Sequence, residues 1–433
     1  MAPSFGKRKA EESASYQNEE DHRPAKRDRS ATQVDPQPAE CEPQASSESE
    51  LLHVLDFSTL TSEDRVIAHF DELARKLLSG SFHLVISNST TGSEVHYQFL
   101  EIEFYLWMSG CHEDPFTHGS EEQRISGRWY FHRAPKRSED ASRSLTSGGY
   151  RGGTRKGLDL TLGSVDPTVG INSSTVKSRF FDSELLESKS DELEDQQSPS
   201  VSTSCEIRGG ILLRSMKRLG KDEKVISGPS LLVDEVLRQS SSNSNRSKPL
   251  GIAELVDTLW GGDISAFSRS AEGSRSTTMF LQAVDTSDSG LSAVKPVTIH
   301  RSPRIGLELS HPGTLPERHH PRVVYLDRRY RYFVHPQLLT ANGRVQTFLG
   351  ILDDVQSEGV AKGKDKVQSV SKERIAELTG LKTTSVANYL NYYLEGHEGG
   401  NLKSFVGPAG KGACSSPATY LRMMGTLARV LRP

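Results

Sequence analysis

The run Val95-His-Tyr-Gln-Phe-Leu-Glu-Ile-Glu-Phe-Tyr-Leu-Trp107 alternates apolar or aromatic residues with polar ones along most of its length. A period of two residues is typical of a β-strand with one face buried. The shorter apolar run Phe82-His-Leu-Val-Ile86 precedes it, and Ser89-Thr-Thr-Gly92 between them has the composition of a turn. The sequence therefore predicts a β-hairpin whose longer arm is rich in aromatic residues.

A helix is predicted immediately before this hairpin. Ser62-Glu-Asp-Arg65 has the residues of a helix N-cap, and the apolar residues that follow recur at steps of three and four as far as Leu78. Gly80 is expected to stop the helix. A helix followed by antiparallel strands indicates the α+β class.

Two carboxylates occupy one face of the longer strand. Alternation places Glu101, Glu103 and Tyr105 on one side and the apolar Ile102, Phe104 and Leu106 on the other. Neighbouring carboxylates in apolar surroundings repel each other and lose hydration, so they need a cation, a hydrogen-bond donor or a catalytic role. The alternative is an edge strand whose acidic face is solvated.

The rest of the chain alternates short strands with polar inserts. Further strands are predicted at 129–132, 157–162, 210–215 and 323–334. Low-complexity inserts, which predict surface loops or local disorder, lie at 134–147, 183–204, 238–248 and 266–292. Residues 371–394 read as two helices separated at Gly380.

Composition excludes several classes of protein. The residues Ala, Val, Ile, Leu, Met, Phe, Trp, Tyr and Cys make up 34% of the 433 residues, so a sizeable fraction of the chain is expected to remain unpacked. The net charge of −3 predicts no basic surface on the scale of the whole chain. Neither a membrane span nor a secretion signal is predicted. Four widely spaced cysteines exclude a disulfide scaffold, and the group Cys111, His112 and His118 lacks the spacing of a zinc site.

Residues 1–60 are predicted to form a disordered tail. The tail carries two basic clusters, Lys7-Arg-Lys9 and Arg23-Pro-Ala-Lys-Arg-Asp-Arg29, separated by an acidic spacer. Their spacing is that of a bipartite import signal, which predicts a nuclear import receptor as a partner and the nucleus as the location. The alternative is a solvated charge run that keeps the tail soluble.

Seven short motifs resemble the alkyladenine (3-methyladenine) DNA glycosylase family, in the same order and over about residues 65–335. The family reads "LARxLLG", "ETEAYxG", "DPAxH", "CxNxxxG", "AVLLRALEP", "SGPxxL" and "TPRIGI". The corresponding segments are Leu73-Ala-Arg-Lys-Leu-Leu-Ser-Gly80, Glu101-Ile-Glu-Phe-Tyr-Leu106, Asp114-Pro-Phe-Thr-His118, Gly157-Leu-Asp-Leu-Thr-Leu-Gly163, Gly210-Ile-Leu-Leu-Arg-Ser-Met216, Ser227-Gly-Pro-Ser-Leu-Leu232 and Ser302-Pro-Arg-Ile-Gly-Leu307.

The resemblance implies a site for hydrolysis of an N-glycosidic bond. Such an enzyme flips one nucleotide out of the duplex and directs a water molecule at the sugar. The family pattern makes Glu103 the general base, Tyr105 a stacking wall and Arg214 a cation facing the site. It makes His118 a pocket wall that donates a hydrogen bond to the flipped nucleotide. A desolvated carboxylate suits this role, because it also stabilises the positively charged sugar as the base leaves.

This chain departs from the family at the base pocket. His132 takes the position of a second stacking tyrosine, and Tyr150 is the nearest candidate for the residue that intercalates into the vacated duplex. The family's pocket asparagine is Asp159 here. An ionised carboxylate only accepts hydrogen bonds, so Asp159 predicts a different preference among bases.

Two basic segments are predicted to contact the DNA backbone. The glycine-rich run 148–157 matches neither dinucleotide nor P-loop patterns, and its Arg151, Arg155 and Lys156 suit phosphate contacts. The helices around Gly380 resemble a helix-turn-helix, which would place Lys382 at the DNA. The alternative for the second segment is an ordinary helical hairpin.

Together these patterns predict a fold with one curved, mostly antiparallel sheet and packed helices, similar to the alkyladenine glycosylases. The predicted regions are a tail at 1–60, a glycosylase-like domain at 61–335 and a small helical module at 336–433. The predicted function is base-excision DNA repair by a monomer that binds double-stranded DNA and needs no cofactor and no metal. Two alternatives stay open: a nuclear DNA-binding protein that kept the fold without catalysis, and a hydrolase of small nucleoside-like substrates.

Overall fold

The computed structural model describes residues 47–118, 120–134, 150–151, 153–166, 206–241, 249–269, 275–284, 297–339, 342–361 and 370–432. These residues belong to one compact unit, Ala45–Pro433. Both predicted import clusters lie outside the described residues. The described part is α+β, with a curled antiparallel sheet that forms a half-barrel and with packed helices. The predicted class and the curved antiparallel sheet are therefore confirmed.

The sheet has the strand order β4-β5-β6-β2-β1-β8, and β10, β9, β3 and β7 are attached to it. Its strands are β1 (Phe82–Asn88), β2 (Ser93–Met108), β3 (His112–Glu113), β4 (Trp129–Phe131), β5 (Leu158–Leu162), β6 (Ile207–Arg218), β7 (Lys224–Ser227), β8 (Thr277–Ala283), β9 (His300–Ser302) and β10 (Arg331–Phe333).

Strand β2 is the centre of the sheet. Its first half pairs with β1, as the predicted hairpin requires, and its second half pairs with β10 and β3. Strand β6 pairs with β2 on the other side from Tyr97 to Met108. Because β2 has a partner on both sides at Glu101 and Glu103, the alternative of an edge strand with a solvated acidic face is wrong.

Helices cover the sheet and extend beyond it. They are α1 (Ser47–Val54), α2 (Glu63–Leu78), α3 (Pro229–Ser240), α4 (Ile252–Glu254), α5 (Pro321–Asp327), α6 (Arg344–Ala361), α7 (Lys372–Thr379), α8 (Thr383–Gly399) and α9 (Pro417–Leu431). A π-helical turn, Leu255–Leu259, continues α4. Among the helices of the described ranges, none is both long and apolar enough to cross a membrane.

Helix α2 packs its apolar side against the apolar face of β2. The Ser62 hydroxyl accepts a hydrogen bond from the Arg65 amide, which is the predicted N-cap. Phe70 of α2 stacks on Phe104 of β2 with ring centroids 4.4 Å apart. Ile102, Phe104 and Leu106 are buried in the core, as alternation predicts. This packing leaves Glu103 on the opposite face of the strand.

Three boundaries differ from the sequence prediction. The predicted strand at 323–334 is helix α5 followed by β10, because Pro321 opens a helix whose amide at Arg322 is capped by His320. Strand β8 lies inside the predicted insert 266–292. Its buried run Thr-Thr-Met-Phe-Leu is short and follows a serine-rich stretch, so the sequence pattern did not indicate a strand. The packed chain begins at α1, before the predicted limit of the tail at 60, because Leu51, Leu55 and Phe57 are buried.

The C-terminal helices are packed closely on one another. Gly380 has a φ of 70°, a left-handed conformation that glycine adopts without strain, and it separates α7 from α8 as predicted. A Cβ atom built on Gly425 of α9 would lie 2.0 Å from the Tyr393 carbonyl oxygen of α8. A Cβ atom built on Gly350 of α6 would lie 2.5 Å from the Arg301 carbonyl oxygen of β9. Both contacts therefore require a residue without a side chain.

Candidate functional site

The candidate site occupies the polar face of strands β4, β5, β6 and β2. Leu212 of β6 lies directly opposite Glu103 on one side and Asp159 on the other. Directly opposed residues of an antiparallel pair present their side chains on the same face. The two carboxylates therefore share a face, two strand spacings or roughly 10 Å apart at their Cα atoms. Tyr130 of β4, directly opposite Asp159, lies on that face too.

Glu103 is fully buried and accepts hydrogen bonds at both carboxylate oxygens. The Ile305 amide donates to Oε1 at 2.7 Å, and the Tyr105 hydroxyl donates to Oε2 at 3.0 Å. The Arg214 guanidinium donates to Oε2 at 3.3 Å. Burial, followed by the charge of Glu103, raises the pKa of Tyr105 well above its usual value, so this hydroxyl keeps its proton and remains a donor. We call Glu103, Tyr105 and Arg214 the Glu103 cluster.

Glu101 is held by a different set of groups. Arg331 donates to its Oε1 at 2.6 Å and Arg214 to the same oxygen at 3.2 Å, while the Ser215 hydroxyl donates to Oε2 at 2.5 Å. Burial disfavours the charged carboxylate, but the two guanidiniums outweigh it and hold the pKa of Glu101 below its usual value. Arg331 itself also contacts the Ser302 and Thr347 hydroxyls. Glu101 thus links β2 to β6 and β10, and both of its carboxylate oxygens accept hydrogen bonds from these strands.

The second cluster on this face contains Asp159, His132 and His118. His132 Nε2 lies 2.9 Å from Asp159 Oδ1, and the Gln123 amide donates to Oδ2 at 3.0 Å. The His118 and His132 rings meet edge to face with centroids 4.8 Å apart. Burial, with the neighbouring His132, lowers the pKa of His118 to about 4, so the ring is neutral at pH 7. We call these three residues the Asp159 cluster.

A buried ion pair that sequence reasoning missed supports the Glu103 cluster. Arg304 donates to both carboxylate oxygens of Asp114, at 2.5 and 3.1 Å, and to the Phe104 carbonyl oxygen at 3.0 Å. Its guanidinium lies 4.5 Å from the centre of the Tyr105 ring. Asp114 and Arg304 lie in the segments that resemble the motifs "DPAxH" and "TPRIGI". Those two motifs could have indicated that both residues belong to the site. The pair fixes the loop whose next amide, at Ile305, binds Glu103.

Tyr150 lies beside this face and is held by Arg133. The Arg133 guanidinium is 4.3 Å from the centre of the Tyr150 ring and donates to its hydroxyl at 3.4 Å. A cavity of about 180 Å³ opens here, between β4 and the π-helical turn. In this structure Tyr150 is half-buried against Phe131, so intercalation requires it to leave Arg133.

The basic residues predicted to contact DNA lie in several places. Arg151 donates to the Arg133 carbonyl oxygen at 2.7 Å, beside the Asp159 cluster. Arg155 is exposed, whereas Lys156 is paired with Asp234 of α3. Lys382 is exposed at the N-terminus of α8. Arg151 is close enough to His118 for its charge to contribute to the lowered pKa of that histidine.

Metal ligands do not converge in the described ranges. There, no group of three or more His, Cys, Asp or Glu side chains has the arrangement of a metal site. His112, which the sequence groups with Cys111 and His118, instead contacts the Leu106 carbonyl oxygen at 2.9 Å and the Tyr330 hydroxyl at 2.8 Å.

Comparison with known proteins finds similarity to a viral protein. No family model matches the chain. The chain is similar to the uncharacterized protein L759 of Acanthamoeba polyphaga mimivirus, with 29% identity over 191 residues. The match covers 44% of this chain and 63% of the viral protein, so the chain spans less than two thirds of the length of the curated relative it matches. The viral protein's name carries no activity, so the likeness assigns no function.

Proposed function

We propose that the chain is a DNA glycosylase-like protein of base-excision repair, which hydrolyses the N-glycosidic bond of a damaged or altered purine after base flipping. One observation carries the proposal: the register places Glu103 and Asp159 on either side of Leu212, on one face of the sheet. The residues that the family resemblance names as base and pocket walls come from distant parts of the sequence. Their convergence on one face supports a shared site.

Glu103 is the proposed general base. It would deprotonate a water molecule and stabilise the positive charge that develops on the sugar. Ile305, Tyr105 and Arg214 fix its orientation through hydrogen bonds. Tyr105, His118 and His132 would form the walls for the flipped base, and Asp159 would hold His132. A neutral His118 has one ring nitrogen that donates and one that accepts, so it can do either at the base edge, whereas a charged ring can only donate.

The DNA would bind along the basic residues around this face. Arg151, Arg155 and Lys156 are the proposed phosphate contacts beside the pocket, and Tyr150 is the proposed intercalating residue. Lys382 extends the contact through a helix-turn-helix of α7 and α8. In this proposal the protein acts as a monomer in the nucleus, where the basic clusters of the tail are read by an import receptor.

A second candidate function is DNA binding without catalysis. Glu103 is fully buried, and both of its oxygens already accept hydrogen bonds from the protein. A general base must reach the water molecule that it activates. Catalysis therefore requires the Glu103 cluster to open when DNA binds, whereas a binding protein needs no such change.

One assay separates the two candidates. Purified full-length protein is incubated with end-labelled duplexes that carry hypoxanthine, ethenoadenine or methylated purines, and abasic sites are revealed as strand breaks after alkali. Breaks at one altered base, and none in the unmodified duplex, support the glycosylase. Binding without breaks supports the second candidate. A protein that binds none of the duplexes contradicts both.

A further inference from the structure

A second cavity, outside the candidate site, lies beside helix α2 and the end of α9. It has a volume of about 340 Å³, within the lower part of the range for small-molecule sites. Helix α2, strand β9, helix α5 and the end of α9 contribute to it. Among the described residues, its lining shares no member with the Glu103 or Asp159 cluster.

Cationic side chains outnumber carboxylates in the lining of this cavity. Its charged groups in the described ranges are one carboxylate, Asp327, and the guanidiniums of Arg301, Arg328, Arg329 and Arg432. A cleft with charges of one sign and low-dielectric walls concentrates counter-ions of the other sign. The cavity is therefore suited to an anion.

Carboxylates outside the lining hold three of the guanidiniums in place, and the lining carboxylate Asp327 holds the fourth, Arg432. Arg301 is 3.0 Å from Asp71, Arg328 is 2.6 Å from Glu63, and Arg329 is 2.7 Å from Asp353. Since a guanidinium has five N–H donors, each of these pairs leaves donors for a further acceptor.

Arg328 gives a second, independent observation. Its Nε atom is buried and has no hydrogen-bond partner within the described part of the chain. A buried donor without an acceptor is costly, so the pair with Glu63 does not satisfy the whole guanidinium. Because the Nε atom has almost no accessible surface, an anion in the cavity would accept from the other guanidinium nitrogens of Arg328, whose side chain is 34% exposed.

The remaining lining decides the class of anion. Ile67, Val324 and Leu431 add apolar surface next to the guanidiniums. Arginines bind phosphate through parallel N–H donors, and a phosphate dianion has enough oxygens to accept from several of them. We propose that this cavity is a binding site for a small phosphate monoester, whose phosphate contacts the arginines and whose organic group contacts the apolar residues.

The proposal is tested by calorimetric titration of the full-length chain in a phosphate-free buffer. The probes are inorganic phosphate, phenyl phosphate and phenol as its uncharged counterpart. We expect phenyl phosphate to bind more tightly than inorganic phosphate, and phenol not to bind. Phenol binding as tightly as phenyl phosphate, or no binding of either phosphate, would overturn the proposal.

Two variants assign the binding to this cavity. Arg432 is half exposed, so Arg432→Gln is expected to leave the fold intact, and Arg328→Gln removes a second lining guanidinium. Each is expected to weaken phenyl phosphate binding by about tenfold or more, because hydrogen bonds to charged groups contribute roughly 1.5–3 kcal/mol. Arg422→Gln is the matched control, since Arg422 is a partly exposed arginine of α9 with a carboxylate partner, Glu395, outside the cavity.

Unchanged affinity in both lining variants, with circular dichroism showing that they are folded, would place the ligand elsewhere and overturn the proposal. A DNA duplex that binds through Arg328 and Arg432 while phenyl phosphate does not would also overturn it, in favour of a backbone phosphate. The outcome is independent of base excision, because the assay measures binding by a separate set of residues.

Discussion

Glu101 and Glu103 are two residues apart on one strand, yet their surroundings give them different predicted roles. Glu103→Gln keeps the size and shape of the side chain and removes its basicity, and its amide nitrogen replaces one of the two accepting oxygens with a donor. We expect it to retain duplex binding and to lose excision by at least about 10²-fold, the usual contribution of a positioned base. Single-turnover excision and a binding titration measure the two effects. Unchanged excision would remove Glu103 from the catalytic role.

Glu101→Gln is the matched control for that variant. It removes the partner of the fully buried Arg331 and one partner of Arg214. Leaving a buried charge without its partner typically costs about 3–5 kcal/mol. We expect the free energy of unfolding, measured in urea, to fall by about that amount, while protein that remains folded keeps its excision rate. If Glu101→Gln abolished excision without loss of stability, the roles of the two carboxylates would be reversed.

His118 gives the candidate site a predictable pH dependence. Its pKa is about 4 in the folded chain and 6.5 when unperturbed, because burial and the neighbouring His132 oppose its charge. Below pH 6.5, His118 therefore binds more protons in the unfolded chain than in the folded chain. Its contribution lowers the free energy of unfolding as the pH falls from 6.5 towards 4, and it has no effect above pH 6.5. His118→Gln is expected to flatten the fall in melting temperature over this window. An NMR titration that gives His118 a pKa near 6.5 would contradict the assignment.

Among the helices, strands and turns, the sequence correctly predicted those that depend on a short local pattern of residues. The hairpin of β1 and β2, the N-cap at Ser62 and the break at Gly380 follow from periodicity and from residues with one strong conformational preference. Strand β8 was missed, because its partner β1 is almost 200 positions away and its own run is short. Helix α5 was missed, because its β-branched residues favour a strand until the cap at His320 decides.

The candidate site could be predicted only in part, for the same reason. The sequence indicated that the paired carboxylates need cations, but it could not show which ones. Glu101 is bound by Arg331 of β10, which the structure buries completely. The contact depends on the pairing of β10 with β2, across more than 200 positions of sequence. The bond of Asp159 to His132 likewise follows from pairing between β4 and β5.

The proposed helix-turn-helix of α7 and α8 has a testable surface. Ile375 and Val386 are buried between the helices, whereas Lys382 is exposed where the N-terminus of a recognition helix would meet DNA. Lys382→Glu is expected to weaken duplex binding and to reduce the slope of log K against log salt by about 1. Lys411→Glu, which makes the same charge change at another exposed position, serves as the control. Equal effects of the two variants would show that Lys382 acts only through the net charge of the protein and makes no specific DNA contact.

At the scale of the whole molecule, the C-terminal helices and the sheet share buried side chains. Arg331 of β10 donates to the Thr347 hydroxyl of α6, and Gly350 of α6 lies against the backbone of β9. Phe348 of α6 and Tyr420 of α9 are fully buried within the same core as Phe333 of the sheet. The segment 336–433 therefore covers apolar and charged groups of the domain that carries Glu103.

This arrangement predicts the result of removing that segment. Deleting residues 336–433 would expose buried apolar surface, which lowers the free energy of unfolding by about 25 cal/mol for each Å² exposed. It would also leave Arg331 without one of its hydrogen-bond acceptors, the Thr347 hydroxyl. We expect the truncated chain to be insoluble or to lose its cooperative thermal transition, and the intact chain to unfold in one transition that circular dichroism and tryptophan fluorescence report at the same temperature. A soluble truncation that unfolds cooperatively would instead show that the sheet domain is independent. The difference in duplex binding between this truncated chain and the full-length chain would then measure the contribution of α7 and α8. The truncation removes the proposed DNA contact at Lys382 and keeps the Glu103 cluster.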